Sequence, residues 1–154
     1  MRARTAALTV VMVALIAGAA LAAKSTVTSL AVAKRTVTGK SKTIVVDQSG
    51  VTVYELGGES LAKLECVTKA CFELWPPVKV ASATAKPKLG PGVPGTVSVM
   101  HRVKGGFYQV MLDRHPLYYY SGDGGKKGKV TGQGIQGFGG SWHVVTATKP
   151  APTP

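Results

Sequence analysis

A short pattern that occurs twice constrains the fold of this 154-residue chain more than any other feature. Each copy has an apolar residue, a tyrosine, a large residue two places later and an acid three places after that. The copies contain Tyr54 with Glu59 and Tyr118 with Asp123. A tryptophan follows each tyrosine, 21 residues later in the first copy and 24 residues later in the second. Such self-similarity predicts an internal duplication with two related units.

The residues around both copies have the patterns of β-strands. In residues 43–56, a β-branched run, the turn sequence from Asp47 to Gly50 and an alternating return predict a hairpin. In residues 97–121, alternating apolar residues separated by turn sequences predict a three-stranded meander. In the first strand of that meander, Val97, Val99, His101 and Val103 share one face.

Residues 1–23 have the features of a secretory signal peptide. Two arginines precede an apolar run, and the small residues at 20 and 22 offer a cleavage site near Ala22 or Ala23. The run is shorter than the ~20 residues that a membrane-spanning helix needs. No cysteine follows it, so the lipid-modified cysteine of a lipoprotein is absent. We expect a secreted, periplasmic or wall-associated protein without a transmembrane helix after cleavage.

The helical pattern and both cysteines lie in the first unit. Apolar residues recur at three and four places from Ser60 to Leu74, which predicts one or two short helices, with Thr68 as an N-cap. Cys66 and Cys71 are the only cysteines, and an even pair in an exported protein indicates a disulfide. Metal ligation and redox catalysis are the alternatives, but a C-x4-C spacing supplies two metal ligands and is not the C-x-x-C redox spacing.

Charge indicates what the protein binds. Removal of residues 1–22 leaves 17 basic and seven acidic residues, a net charge of +10. This excess favours an anionic wall polymer or another envelope component, and the alternative is that the charge only maintains solubility. The arginine–aromatic interleaving of a nucleic-acid module is absent, so no specific nucleic acid is expected. Three of the lysines cluster in the glycine-rich segment 122–140, which looks too rich in glycine to pack.

The aromatic residues suit either a core or a ligand site. Tyr118 and Tyr120 should face one way along a strand and Tyr119 the other. Trp75 and Trp142 are interpreted as core residues, with ring platforms for a flat ligand as the alternative. The candidate ligand-binding residues are Tyr118, Tyr120, Asp123, Lys126, Lys127, Lys129 and Trp142.

No catalytic set and no cofactor are predicted. A G-x-G-x-x-G sequence at residues 132–137 lacks the preceding strand and following helix of a dinucleotide site. The alternative to a binding module is a redox or ligand-carrying protein, with haem iron held by Tyr118 and His115 or a metal held by the histidines at 101, 115 and 143.

Several of these motifs together resemble one bacterial family. The sequence Tyr118-Tyr119-Tyr120-Ser121-Gly122-Asp123 is similar to the Tyr-x-(Phe/Trp/Tyr)-x-x-Asp motif of secreted-repeat proteins, also described as predicted lipoproteins of unknown function. The resemblance extends over about residues 39–146, to the D-x-x-G-x-T segment ending at Tyr54, the cysteine pair before Trp75-Pro76-Pro77 and the segment that contains Trp142. It implies an architecture and an extracytoplasmic location, but no activity.

The sequence therefore predicts a mostly β protein, a single small domain of two related antiparallel β units with one short disulfide-tied helical segment. The predicted divisions are a signal peptide at 1–23, an N-terminal arm at 24–42, unit 1 at 43–80, a Pro/Gly linker at 81–96, unit 2 at 97–147 and a Pro-rich tail at 148–154.

Overall fold

A computed structural model describes residues 26–147. The predicted signal peptide and Pro-rich tail lie outside these residues. The elements in chain order are β1 Ser29–Val37, β2 Lys40–Asp47, β3 Tyr54–Leu56, α1 Lys69–Leu74, β4 Lys79–Val80, β5 Lys88–Leu89, β6 Val97–Arg102, β7 Phe107–Leu112, β8 His115–Pro116, a 3₁₀ helix Ser121–Asp123, β9 Gln136–Gly137 and β10 Gly140–Val144. The prediction of a small, mostly β domain is confirmed, and the sheets are antiparallel apart from a two-residue pairing of β1 with β5.

Two long hairpins form the framework. β1 pairs with β2 over eight residue pairs, and β6 pairs with β7 over six. The first hairpin turns at Thr38 and Gly39, where both φ angles are positive, as the twist of a tight hairpin requires. Residues 29–37 of the predicted N-terminal arm form strand β1, in which the completely buried Leu30 and Val37 fix the strand in place.

The segment after the Asp47–Gly50 turn returns along β2 only as far as Val53. The turn forms, with the Gly50 N–H donating to the Asp47 carbonyl at 2.9 Å. Beyond it, Val46 bridges to Thr52, the Asp47 N–H donates to the Val51 carbonyl at 2.9 Å and the Val53 N–H donates to the Val45 carbonyl at 3.4 Å. Strand β3, which follows, pairs with β10. The predicted hairpin over residues 43–56 therefore forms near its turn, but its last three residues pair with a strand from the end of the chain instead of with β2.

The end segments of the two units are exchanged in this way. β4, which follows Trp75, pairs with β7, and β10, which contains Trp142, pairs with β3. Two equivalent rings of three backbone hydrogen bonds join the units, and in each ring the N–H of one residue donates to the carbonyl of the next. In the first ring Val78 donates to Leu117, Leu117 to Val110 and Val110 to Val78. In the second ring Val145 donates to Val53, Val53 to Val45 and Val45 to Val145. Each unit therefore contributes a strand to the sheet of the other.

Only the last part of the predicted helical segment is helical. Helix α1 begins after Thr68, whose Oγ1 accepts a hydrogen bond from the Cys71 N–H at 3.2 Å, so the predicted N-cap is confirmed. The predicted disulfide between Cys66 and Cys71 is present. The preceding residues form turns, since the Glu59 carboxylate accepts the N–H groups of Glu65 and Cys66 that a helix would use.

The glycine-rich segment 122–140 packs against the core, which corrects the expectation that it is too glycine-rich to pack. Val130, Ile135 and Phe138 lie on the aromatic core cluster. A Cβ on the buried Gly132 would lie 2.9 Å from the Tyr54 ring and 3.0 Å from the Trp75 ring. Glycine is needed there because the backbone closes directly over both rings.

The meander prediction is confirmed for β6 and β7, but the third strand is only the two-residue β8, and residues 117–121 at the end of the predicted meander lie outside any strand. Met100 and Arg102 are buried, whereas His101 and Val103 are exposed. Arg102 can be buried because it has polar partners inside the protein, Gln109 Oε1 at 2.7 Å and the Cys66 carbonyl at 3.1 Å.

The disulfide should stabilise the fold without being needed for the strands. We expect the double variant Cys66→Ala/Cys71→Ala to lose up to about 3 kcal/mol of unfolding free energy, because a short loop restrains the unfolded chain modestly. Its far-ultraviolet circular dichroism should keep the β signal. Urea unfolding with and without reductant checks this, since reductant should destabilise the wild type and leave the variant unaffected. A wild type insensitive to reductant would contradict the prediction.

Candidate functional site

The two sequence motifs meet in the core and exchange their hydrogen bonds. The Tyr54 hydroxyl donates to Asp123 Oδ2 at 2.6 Å, and the Tyr118 hydroxyl donates to Glu59 Oε2 at 2.8 Å. Tyr54 and Tyr118 also lie opposite each other, each N–H donating to the other's carbonyl at 2.8 and 2.9 Å. Each tyrosine therefore binds the acid of the other unit, and all four side chains are buried.

The remaining carboxylate oxygens hold the loops that follow each acid. Glu59 Oε1 accepts the N–H groups of Glu65 and Cys66, both at 3.1 Å. Asp123 Oδ1 accepts the N–H of Thr131 at 3.0 Å and its hydroxyl at 2.5 Å. Each acid thus joins the tyrosine of one unit to a loop of its own unit.

Arg102 neutralises only one of the two acids. Its guanidinium is buried, lies 3.5 Å from Glu59 Oε1 and contacts the Tyr118 hydroxyl. It also donates to the carbonyl of Cys66 at 3.1 Å and to Gln109 Oε1 at 2.7 Å. Arg102 was not predicted to be functional, although it shares a strand face with Met100 in the alternating sequence of β6.

The tryptophans stack on one another beneath this network. The Trp75 and Trp142 ring centroids are 3.8 Å apart and their planes differ by 4°. Tyr54 packs edge-on to Trp75, and Tyr118 packs edge-on to Trp142. Both indoles are completely buried, so the interpretation of the tryptophans as core residues is confirmed.

The candidate ligand-binding residues differ in their burial. Tyr118, Asp123 and Trp142 lie in the core and present no surface to a ligand. Tyr120 is half-buried against Trp75, on the same side as Tyr118, while Tyr119 packs with the other cluster, as the alternation predicted. The lysines Lys126, Lys127 and Lys129 are exposed.

A surface cavity of about 410 Å³ lies beside these lysines. Tyr119 and Tyr120 provide its aromatic wall, and we call it the tyrosine cavity. Its lining residues are Asp47, Ser49, Val51, Pro76, Tyr119, Tyr120, Ser121, Gly124 and Gly125. The Asp47 carboxylate already has three hydrogen-bond donors within the protein, the N–H groups of Ser49 and Val51 and the Tyr119 hydroxyl, at 2.8–2.9 Å.

Two basic side chains, those of Lys127 and Arg35, approach Gly50, which lies between the cavity-lining residues Ser49 and Val51. The methylenes of Lys127 lie over Gly50, where a Cβ would be 3.1 Å from Lys127 Cγ and Cε. Arg35 Nη2 is 3.5 Å from the Gly50 carbonyl, and Lys42 is the cross-strand neighbour of Arg35. We call this set the basic rim: Arg35, Lys42, Lys126, Lys127 and Lys129.

Burial of acids makes the surface more positive than the composition indicates. Residues 26–147 contain 15 basic and seven acidic residues, a net charge of +8. Asp47, Glu59 and Asp123 are buried, but Arg102 is the one buried base in this part of the chain. The groups that reach the surface are therefore 14 basic and four acidic residues, a net charge of +10.

Residues 100–146 match a family described as a secreted repeat of unknown function. The matched segment covers most of the second unit, including Tyr118, Asp123 and Trp142. The predicted resemblance to secreted-repeat proteins is thus confirmed. No curated protein matches the chain, and no solved structure does. Within residues 26–147, no helix is long and apolar enough to cross a membrane.

The three histidines of the chain make separate contacts. The His101 ring lies 4.9 Å from the Tyr108 ring, His115 Nδ1 is 2.8 Å from the Glu59 carbonyl oxygen, and His143 Nδ1 is 3.1 Å from Gln133 Nε2. In the described part of the chain, no three His, Cys, Asp or Glu side chains are grouped to hold a metal ion. The Tyr118 hydroxyl is buried between Glu59 and Arg102, so the residues proposed for haem do not form an open site.

Removal of one exchanged hydrogen bond should destabilise the fold. Tyr54→Phe leaves Asp123 Oδ2 without its donor and the Gly132 N–H without its acceptor. We expect a loss of about 1–3 kcal/mol of unfolding free energy, the cost of an unsatisfied buried polar group. Denaturant unfolding measures it, with Tyr108→Phe as the control. A Tyr54→Phe variant as stable as that control would contradict the importance of the pair.

The tyrosines also predict how stability depends on pH. Burial raises the pKa of Tyr54, Tyr118 and Tyr119 above the usual value near 10; the hydrogen bond to Asp123 raises that of Tyr54 further, and the charges of Glu59 and Asp47 raise those of Tyr118 and Tyr119. Above pH 10 the unfolded chain loses phenolic protons that the folded chain keeps, so stability must fall as pH rises. Each tyrosine should contribute a slope of about −1.4 kcal/mol per pH unit. Denaturant unfolding between about pH 9 and 12 checks this, and a slope that Tyr54→Phe leaves unchanged would contradict it.

Proposed function

We propose that this secreted-repeat protein is a non-enzymatic extracytoplasmic module that binds an anionic wall polymer or another anionic envelope component through the basic rim. The observation that carries the proposal is the convergence of Lys127 and Arg35 on Gly50, beside the tyrosine cavity. The surface around them has few acids, because three of the seven are buried in the core. The positive charges of the rim therefore attract a polyanion, and few exposed carboxylates repel it.

The cavity beside the rim suits binding. Its volume of about 410 Å³ is in the usual range of about 300–1,000 Å³ for ligand sites. Two tyrosine rings offer apolar faces, and the hydroxyls of Ser49 and Ser121 offer hydrogen bonds. Asp47, the carboxylate in its wall, has three hydrogen-bond donors and is poorly placed to act as a base. These properties support recognition of a ligand over its chemical conversion.

Neutralising the rim should weaken binding more than neutralising lysines elsewhere. The test variant is Lys126→Gln/Lys127→Gln/Lys129→Gln, and the matched control is Lys86→Gln/Lys88→Gln/Lys104→Gln, since all six lysines are exposed. Both variants remove three charges, but only the first alters the rim. Binding to a soluble polyglycerol-phosphate polymer is measured by calorimetry as the salt concentration is raised from about 0.1 to 1 M, over which the Debye length shrinks from about 10 to 3 Å.

We expect wild-type affinity to fall steeply with salt, and the rim variant to bind more weakly than the control at low salt. Melting temperatures should be nearly equal, because exposed charges contribute little to folding. Equal weakening of both variants would show that total charge, and not the rim, attracts the polymer. A wild-type affinity that does not change with salt concentration would contradict the electrostatic proposal altogether.

A further inference from the structure

A second cavity adjoins the tyrosine cavity. Its volume is about 750 Å³, and it shares Pro76 and Tyr119 with the tyrosine cavity. We call it the phenylalanine cavity. Its lining residues are Thr26, Phe72, Pro76, Pro77, Lys79, Val80, Ala81, Gly105, Phe107 and Tyr119.

The walls of the phenylalanine cavity are aromatic, with a cation among them. Phe72 and Phe107 pack edge to face with their centroids 5.4 Å apart. Lys79 Nζ lies 4.4 Å from the centre of the Phe107 ring. An anionic group bound here would meet the Lys79 ammonium, while an apolar face of the same ligand would pack on the rings.

The wall shared by the two cavities is held from both sides. The Tyr119 N–H donates to the Pro76 carbonyl at 2.8 Å, and the Tyr119 hydroxyl donates to Asp47 at 2.8 Å. A proline, and a tyrosine held by two hydrogen bonds, have little conformational freedom to lose when a ligand binds. A pre-formed surface of this kind reduces the entropic cost of binding.

We propose that the two cavities are subsites of one groove that binds a linear anionic glycan, a chain of sugar rings that carry carboxylates or are joined by phosphodiesters. This inference rests on the proposed function and names the class of polymer. Positive charge lies beside the first cavity, on the basic rim, and in the wall of the second, on Lys79. Apolar rings and prolines also line the groove, at Tyr119, Pro76 and Pro77.

The alternation of charge and apolar surface distinguishes the glycan from other polyanions. A sugar ring has an apolar face that packs on aromatic rings and hydroxyls that reach Ser49 and Ser121. Inorganic polyphosphate has the charge but no apolar surface, so it gains nothing from the aromatic rings of the phenylalanine cavity. A single small anion would engage one end of the groove only. The ligand should therefore be both ring-containing and several units long.

Filling the phenylalanine cavity tests the inference. Ala81 is exposed and lines this cavity but not the tyrosine cavity, so Ala81→Trp places an indole in it without removing a core contact. Ala62→Trp is the matched control, at an exposed position that lines neither cavity. The probes are a hyaluronan disaccharide, a hyaluronan octasaccharide and a linear polyphosphate of equal charge to the octasaccharide.

We expect the wild type and Ala62→Trp to bind the octasaccharide more tightly than the disaccharide. Ala81→Trp should lose about 10-fold in affinity for the octasaccharide, the effect of losing one set of aromatic contacts. Its affinity for polyphosphate should not change. Phe107→Leu should show the same selective loss and Phe107→Trp should restore binding, which separates loss of the ring from loss of folding.

Two results would overturn the glycan groove while leaving the proposed function intact. One is an octasaccharide affinity that Ala81→Trp does not change, and the other is equal loss of affinity for octasaccharide and polyphosphate. If the rim variant instead binds both polymers as well as the wild type does, the proposed function itself fails. The lysine substitutions and the cavity-filling substitution therefore report on the two proposals separately.

Discussion

The exchange of hydrogen bonds between Tyr54 with Asp123 and Tyr118 with Glu59 is the interaction on which the rest of the structure depends. A buried carboxylate costs several kcal/mol unless it is paired or hydrogen-bonded. Neither acid can obtain its tyrosine from its own unit, because each hydroxyl comes from the other copy of the motif. The two units must therefore fold together, and the exchange of β4 and β10 gives the backbone the same mutual dependence.

The two halves of this network solve one problem with different residues. Glu59 has the buried charge of Arg102 beside it, whereas Asp123 has the hydroxyl and N–H of Thr131. In the first unit a disulfide shapes the loop that the acid holds; in the second, glycine does so, since at Gly132 no side chain fits against the rings. A duplicated motif has thus kept its hydrogen-bond geometry while the loops around it differ in chemistry.

Local patterns in the sequence predicted the parts of the fold that local forces determine. The alternation of Tyr118, Tyr119 and Tyr120 and the cap at Thr68 depend on residues only a few places apart, and both were predicted. The pairing of β3 with β10 joins residues almost 90 positions apart by their numbering, and no short-range period encodes it. The packing of the glycine-rich segment was not predicted for the same reason. Gly132 packs because the ring of Tyr54, which is distant in the sequence, lies against it. At the candidate site the lysines were predicted, but the cavities were not, because their walls come from separate segments.

The buried network also determines the character of the surface. When the fold draws Asp47, Glu59 and Asp123 inward, it removes three negative charges from the exterior and only one positive charge, that of Arg102. The surface of residues 26–147 therefore carries a larger positive excess than their composition does. Repulsion among exposed lysines is weak, since water and salt screen it, while the buried acids are satisfied at short range and are screened much less. Charge is consequently paired inside, where it holds the two units together. Outside, it is in net positive excess, and the proposed binding of a polymer would use this excess.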